Sequence, residues 1–140
     1  MVIPIDFSGM SIAAVEAGLK LAASPDLIHV VHVVPVLDQI APETDEDWQI
    51  PTDGERRDQV HENFHSFLKE QGLPELRQVV LEGEPGPQIA EYATAQRAGL
   101  IVIPSHGYQG LKRILLGSVA EQVIRLATCP VFVVRREDAE

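Results

Sequence analysis

Five short strand-like runs, each separated from the next by enough chain for a helix, constrain this sequence more than any other feature. They are Val2 to Ile5, Ile28 to Val34, Leu76 to Leu81, Leu100 to Ile103 and Val131 to Val134. Each reads as a strand, and the continuous apolar run Leu100 to Ile103 as one buried in a parallel sheet. Between them the apolar period becomes helical. Ile12, Val15, Leu19 and Ala22 form one stripe, and Val60, Phe64, Phe67 and Leu68 a second. Ile89, Tyr92 and Ala93 form a third, and Val119, Val123 and Leu126 a fourth. Strands alternating with helices in this way build a parallel sheet with helices on both faces. The expected class is α/β, doubly wound, as one domain over 1–140, long enough to bury roughly two-thirds of its unfolded surface.

Local signals place the ends of the elements. Ser8 or Ser11 can cap the first helix, and Ser24-Pro25-Asp26 ends it. A second helix is predicted over 55–71 with Gly72 as its stop. In the turn Gly83-Glu84-Pro85-Gly86-Pro87, Pro87 is pre-set for a helix's first turn, and Gly99 closes that helix. Pro35 to Gly54 is irregular and acidic, carries the only tryptophan, Trp48, and reads as a solvated loop. The tail 135–140 is polar and expected to fray.

Charge and composition narrow the partners. A net charge of −10 argues against a nucleic-acid or anionic-membrane surface, since both need basic patches. No run approaches the roughly 20 apolar residues of a membrane span. Met1 to Asp6 lacks the basic and apolar regions of a signal peptide. Cys129 stands alone, so no internal disulfide forms, and a reducing cytoplasm is the expected location.

The chemistry concentrates after the fourth run. Pro104-Ser105-His106-Gly107-Tyr108-Gln109-Gly110 leads through Leu111 to Leu116 into Gly117-Ser118-Val119, where the last helix starts. Glycines admit a ligand close to the backbone, and the N–H groups and positive dipole end of a helix suit phosphate. An ordinary loop with a Ser cap needs the same residues, so both readings stand. His106 can contact phosphate or brace the loop. No Gly-Lys-Ser/Thr motif occurs, and Lys112 and Arg113 read as surface charges. His61-Glu62-Asn63-Phe64-His65 matches the H-E-x-x-H pattern of zinc proteases. No third ligand follows in helical context, and Phe64 and Phe67 claim the inner face, so both histidines are expected on the solvated side. His29 and His32 read as core or rim histidines bonded to backbone.

The 104–118 segment resembles the nucleotide-binding signature of the universal stress proteins: Gly, two residues, Gly, nine residues, then Gly-Ser or Gly-Thr. Gly107, the nine residues 108–116 and Gly117-Ser118 match it, while Pro104 stands at the first glycine. The opening Pro4-Ile5-Asp6-Phe7-Ser8, His32-Val33, Gly117 to Glu121 and Cys129-Pro130-Val131 also resemble that family. The resemblance covers essentially the whole chain. It implies the strand order 3-2-1-4-5, which reverses between strands 1 and 4, where ligands of such sheets bind. It implies a nucleotide site built from Pro4, Ile5, Asp6, Val33, Pro104, Ser105, His106, Gly107, Gly110, Gly117, Ser118 and Val119. Asp6 and Val33 would edge the adenine and ribose. The implied ligand is ATP, or AMP or ADP, with Mg²⁺, and the implied partner a second copy joined through strand 131–134. The expected function is a stress-response sensor or regulatory module. The alternatives are a family member that acts through protein contacts without nucleotide, and a slow ATPase or phosphoryl-transfer enzyme at the same site.

Overall fold

A computed structural model describes residues 1–36, 53–105 and 116–135. Trp48 and most of the acidic stretch lie outside the described residues, as do His106, Gly107, Gly110, Lys112, Arg113 and residues 136–140. The described elements are β1 (Val2–Pro4), α1 (Gly9–Leu21), β2 (His29–Val34), α2 (Asp53–Glu70), β3 (Arg77–Glu82), α3 (Pro85–Ala95), β4 (Ile101–Pro104), α4 (Ser118–Leu126) and β5 (Val131–Val134). All five strands join one parallel sheet in the order β3-β2-β1-β4-β5, with β3 and β5 at its edges. The doubly wound order expected from the sequence is thus the one observed.

Strand side chains alternate between the faces, and each face has its own core. Ile3, Val30, Val34 and Val102 pack with Ala14 and Val15 of α1 and Val60, Phe64, Phe67 and Leu68 of α2. Val2, Val31, Ile101 and Ile103 pack with Ile89 and Ala93 of α3 and Ala120 and Val123 of α4. The predicted inner stripe of α4 holds at Val123 and, partly buried, at Val119, but not at Leu126. Ala120 and Val123 are buried, whereas Leu126 is 48% exposed.

The start of α1 also differs from expectation. Ser8 occupies the N-cap position of α1, but its hydroxyl caps nothing. Ser11 lies inside the helix, fully buried, and its hydroxyl is taken by Asp6. Helix α3 does match expectation: it begins at Pro85, which places Pro87 in its first turn. Both prolines fall among the first-turn positions whose N–H groups have no helical partner anyway, so neither breaks it.

The helix stops follow one device twice. After α2, Leu73 N–H donates to Leu68 O at 2.9 Å and Gly72 N–H to Lys69 O at 3.1 Å, with Gly72 at φ 65°. After α3, Ala98 N–H donates to Ala93 O at 2.9 Å and Arg97 N–H to Thr94 O at 3.1 Å, with Arg97 at φ 52°. Both are Schellman stops, in which glycine favours the left-handed position. Gly72 is the predicted stop; Gly99 is not, because Arg97 has already turned the chain. A Cβ in this conformation costs about 1–2 kcal/mol, partly offset by the greater unfolded-state freedom of glycine. Arg97→Gly is therefore expected to raise stability by up to about 1 kcal/mol in urea denaturation, and a lower midpoint would contradict the assignment.

Candidate functional site

The site begins where two neighbouring strands cease to pair. Backbone groups of a parallel strand point alternately to its two neighbours. On β1, Ile5 N–H donates to Val31 O of β2 at 2.8 Å, and Val2 N–H donates toward β4, to Leu100 O at 3.0 Å. The nitrogen of Pro4 therefore faces β4. On β4, Ile101 and Ser105 donate to Pro130 O and Val134 O on the β5 side, so the nitrogen of Pro104 faces β1. A continued ladder would need N–H donors at Pro4 and then Pro104, and proline has none. Pairing between β1 and β4 stops at Val2↔Ile101, while β4 and β5 stay in register through Pro104↔Val134. The strands part at their carboxyl ends, at the point where the sheet order reverses, which is where such folds bind ligands.

A cavity of about 410 Å³ occupies this gap, within the roughly 300–1,000 Å³ usual for small-molecule sites. Pro4, Ile5 and Asp6 line it from β1, Val33 from β2, Pro104 and Ser105 from β4, and Gly117, Ser118 and Val119 from the start of α4. Every described residue of the nucleotide site that the resemblance implies is among them. The structure also contributes Val31, His32, Pro85, Ile89, Ile103 and Ala120. Pro85 was missed because the turn at 83–87 reads only as a turn, and Ile89 because it reads as the inner face of a helix; the place of that turn after the carboxyl end of β3 was the available signal. Ile103 and Val31 read as ordinary core.

The two ends of the cavity differ in chemistry. At one, Asp6 Oδ1 accepts from Ser8 N–H at 3.0 Å and Ser11 Oγ at 2.8 Å, while Asp6 N–H donates to Ser11 Oγ at 2.9 Å. Partial burial pushes the Asp6 carboxyl up, but these bonds outweigh it and hold it below its ordinary value of 3.8. It is an ionised acceptor at neutral pH. At the other end, Gly117 is the N-cap of α4 and offers no side chain to the first turn. Gly117 N–H donates to Ser105 O, which ties the helix start to the end of β4. The first-turn N–H groups of α4 and the positive end of its dipole thus open toward the cavity. The start of α3 is a poorer anion site, since Pro85 and Pro87 bring no donors. Val31, Val33, Ile89 and Ile103 make the walls apolar.

The zinc-like pentapeptide lies elsewhere. His61 and His65 are exposed on α2. His61 Nδ1 donates to Gln78 Oε1 at 3.2 Å, and His65 stands 4.0 Å from Glu75. Among the described residues no group of three or more His, Cys, Asp or Glu side chains could hold a metal. Of the strand histidines, His32 bonds backbone as expected, whereas His29 Nδ1 meets the Tyr92 hydroxyl at 2.8 Å.

Residues 1–135 match the sequence model of the universal stress protein family. Universal stress protein MJ0531 of Methanocaldococcus jannaschii is 34% identical over the whole of this chain and 84% of its own length. Universal stress protein YxiE of Bacillus subtilis is 32% identical over 96% of this chain and 97% of its own. The structure of protein MJ0577, solved to assign biochemical function from structure, superposes with a TM-score of 0.71 at 24% identity, covering 99% of this chain and 96% of that one. A universal stress protein solved in complex with cAMP gives 0.60 at 21% identity, covering 96% and 95%. These likenesses show the fold.

The state of Asp6 predicts a dependence on pH. A carboxyl held below its ordinary value adds stability that is fully present above about 3.8 and is lost as pH falls through the depressed folded value. Asp6→Asn should destabilise the protein by about 1 kcal/mol at pH 7, allowing for solvent screening, and by less near pH 3. Urea midpoints at the two pH values check this; an equal loss at both would show that the ionised form is not what the bonds favour.

Proposed function

Because the chain belongs to the universal stress protein family, we propose that it binds an adenine nucleotide, ATP or its relatives AMP and ADP, as a sensor or regulatory module of a stress response. The observation that carries this reading is the division of one apolar-walled cavity between an acceptor end and a donor end. Ionised Asp6 suits the amino and hydroxyl donors of a nucleoside, and the uncapped first turn of α4 suits its phosphates. Val33 would edge the base and ribose with Asp6. Pro4, Ile5, Pro104, Ser105, Gly117, Ser118 and Val119 would line the rest, joined by His106, Gly107 and Gly110 outside the described residues. A nucleotide complex in the family, that with cAMP, supports the ligand class.

Mg²⁺ would arrive on the phosphates, whose oxygens supply most of its ligands. Asp6 is the one carboxylate among the described cavity residues, and its ionised state suits a cation. The same depressed carboxyl is a weak base at neutral pH, which favours binding over turnover. The proposed location is the cytoplasm; among the described residues no helix is long and apolar enough to cross a membrane.

Pro104 favours a second reading, in which the protein works through protein contacts without nucleotide. Its nitrogen faces the gap and can donate nothing there. Pro4 alone already breaks the ladder, so a glycine N–H at 104 would remain available to a ligand. One hydrogen bond is worth up to about tenfold in affinity. Calorimetry with Mg-ATP is expected to show binding by the wild type, binding up to about tenfold tighter by Pro104→Gly, and none by Ser118→Glu, which sets a negative charge among the phosphates. Binding by Pro104→Gly alone would make the proline a disabling change and favour the second reading. Binding by neither would remove the nucleotide from the account.

Assembly is proposed at β5. It is an edge strand whose own face leaves Phe132 45% exposed, and edge strands invite pairing. A homodimer through 131–134 is expected in sedimentation at micromolar concentration. Phe132→Lys should shift it to monomer, and a wild-type monomer would contradict the proposal.

A further inference from the structure

His32 reads from the sequence as a strand histidine, yet it lines the cavity beside the Asp6 turn. Its Nδ1 lies 2.8 Å from Ile5 O. A carbonyl oxygen only accepts, so Nδ1 carries the proton and donates. The same ring packs on Phe7, with centroids 4.7 Å apart at 46°, and on Phe64 at 6.4 Å and 85°.

Phe7 is the strained member of this group. Its φ of 64° is a left-handed conformation that bulky residues disfavour. Three aromatic neighbours hold it there. Besides His32, Phe64 and Phe67 of α2 meet it edge-on at 5.2 and 5.7 Å. Asp6 sits between Ile5, held through its carbonyl, and Phe7, held through its ring. The turn in Phe7 also brings Ser8 N–H back onto Asp6 Oδ1.

We infer that His32 is a positioning residue for the ligand site: by bonding Ile5 O next to the Phe7 that it touches, it fixes the 5–7 turn so that the Asp6 carboxylate faces the cavity. The part of this inference that concerns ligand affinity rests on the nucleotide reading given above; the part that concerns the turn does not. A residue that merely fills the core would tolerate any apolar side chain of similar bulk. A positioning residue requires a donor at the Nδ1 position.

Three variants separate these roles. His32→Leu keeps bulk and removes the donor, His32→Asn keeps an N–H close to the place of Nδ1, and His32→Gln carries its N–H one bond further out. The backbone coupling and Cα shift of Phe7 report its left-handed conformation by NMR without any ligand, and calorimetry with Mg-ATP reports the site. His32→Leu is expected to lose the Phe7 signature and weaken ATP binding about tenfold, the worth of one hydrogen bond, while His32→Asn keeps both near wild type. Retention of the signature and of wild-type affinity in His32→Leu would overturn the inference. If His32→Leu does not fold, rescue by Asn and not by Gln supports it, and equal behaviour of the two overturns it. If the wild type binds no ATP, the nucleotide reading falls on its own. The Phe7 signature then decides: loss in Leu with retention in Asn supports the role of His32 in the turn, and retention in both overturns it.

Discussion

The β1·β4 ladder fails at two successive donors, Pro4 and Pro104, and the site depends on that failure. A parallel sheet gains from every paired N–H, so a gap between its central strand β1 and the neighbouring β4 needs a cause. Here the cause is covalent: the next two donors of the ladder are missing from the chain itself. Their absence leaves the carboxyl ends of β1 and β4 apart while both strands remain anchored outward, Ile5 to Val31 and Ser105 to Val134. The gap is therefore a property of the folded sheet and does not await a ligand.

Around that gap the two cores hold its lips in place. The core under α1 and α2 reaches the site through Phe64 and Phe67, which grip Phe7 and with it the Asp6 turn. The core under α3 and α4 reaches it through Ile89, Ile103 and Ala120, and the Gly117–Ser105 bond fixes the start of α4 over the end of β4. Close helix packing supports the second lip as well, since a Cβ on Gly86 would collide with the side chain of Gln122. An acceptor is thus set by one core and a row of donors by the other. Their separation across the sheet gives the cavity one end suited to donors and another suited to negative charge.

Much of this was legible in the sequence, and the misses have physical causes. Strand runs such as Ile101 to Ile103 are short, continuous and apolar, and that pattern located them. Burial of β4 on both faces followed from the same lack of alternation, whereas the edge strands β3 and β5 are only partly buried. The place of Asp6 opposite Gly117 and Ser118 followed once the strand order reversed between strands 1 and 4. Helix ends were read less well. Arg97 adopts a conformation expected of glycine because the Schellman bonds of α3 outweigh the cost to its side chain. Leu126 fits a helical stripe but is 48% exposed, while Ala120, outside that stripe, is buried. The role of His32 was not legible, because it depends on a tertiary contact with a carbonyl 27 residues away. The two prolines were each visible, but that both nitrogens face one gap follows only from the register.

The central claim is that a nucleotide enters between β1 and β4 and touches both lips. Amide NMR during titration with Mg-ATP tests it most directly. The account predicts saturable shifts at Ile5 and Asp6 on one lip and at Ser105, Gly117, Ser118 and Val119 on the other, with little change at Gly72 or Arg97. Shifts confined to one lip, or centred on α2 or the β5 edge, would contradict it.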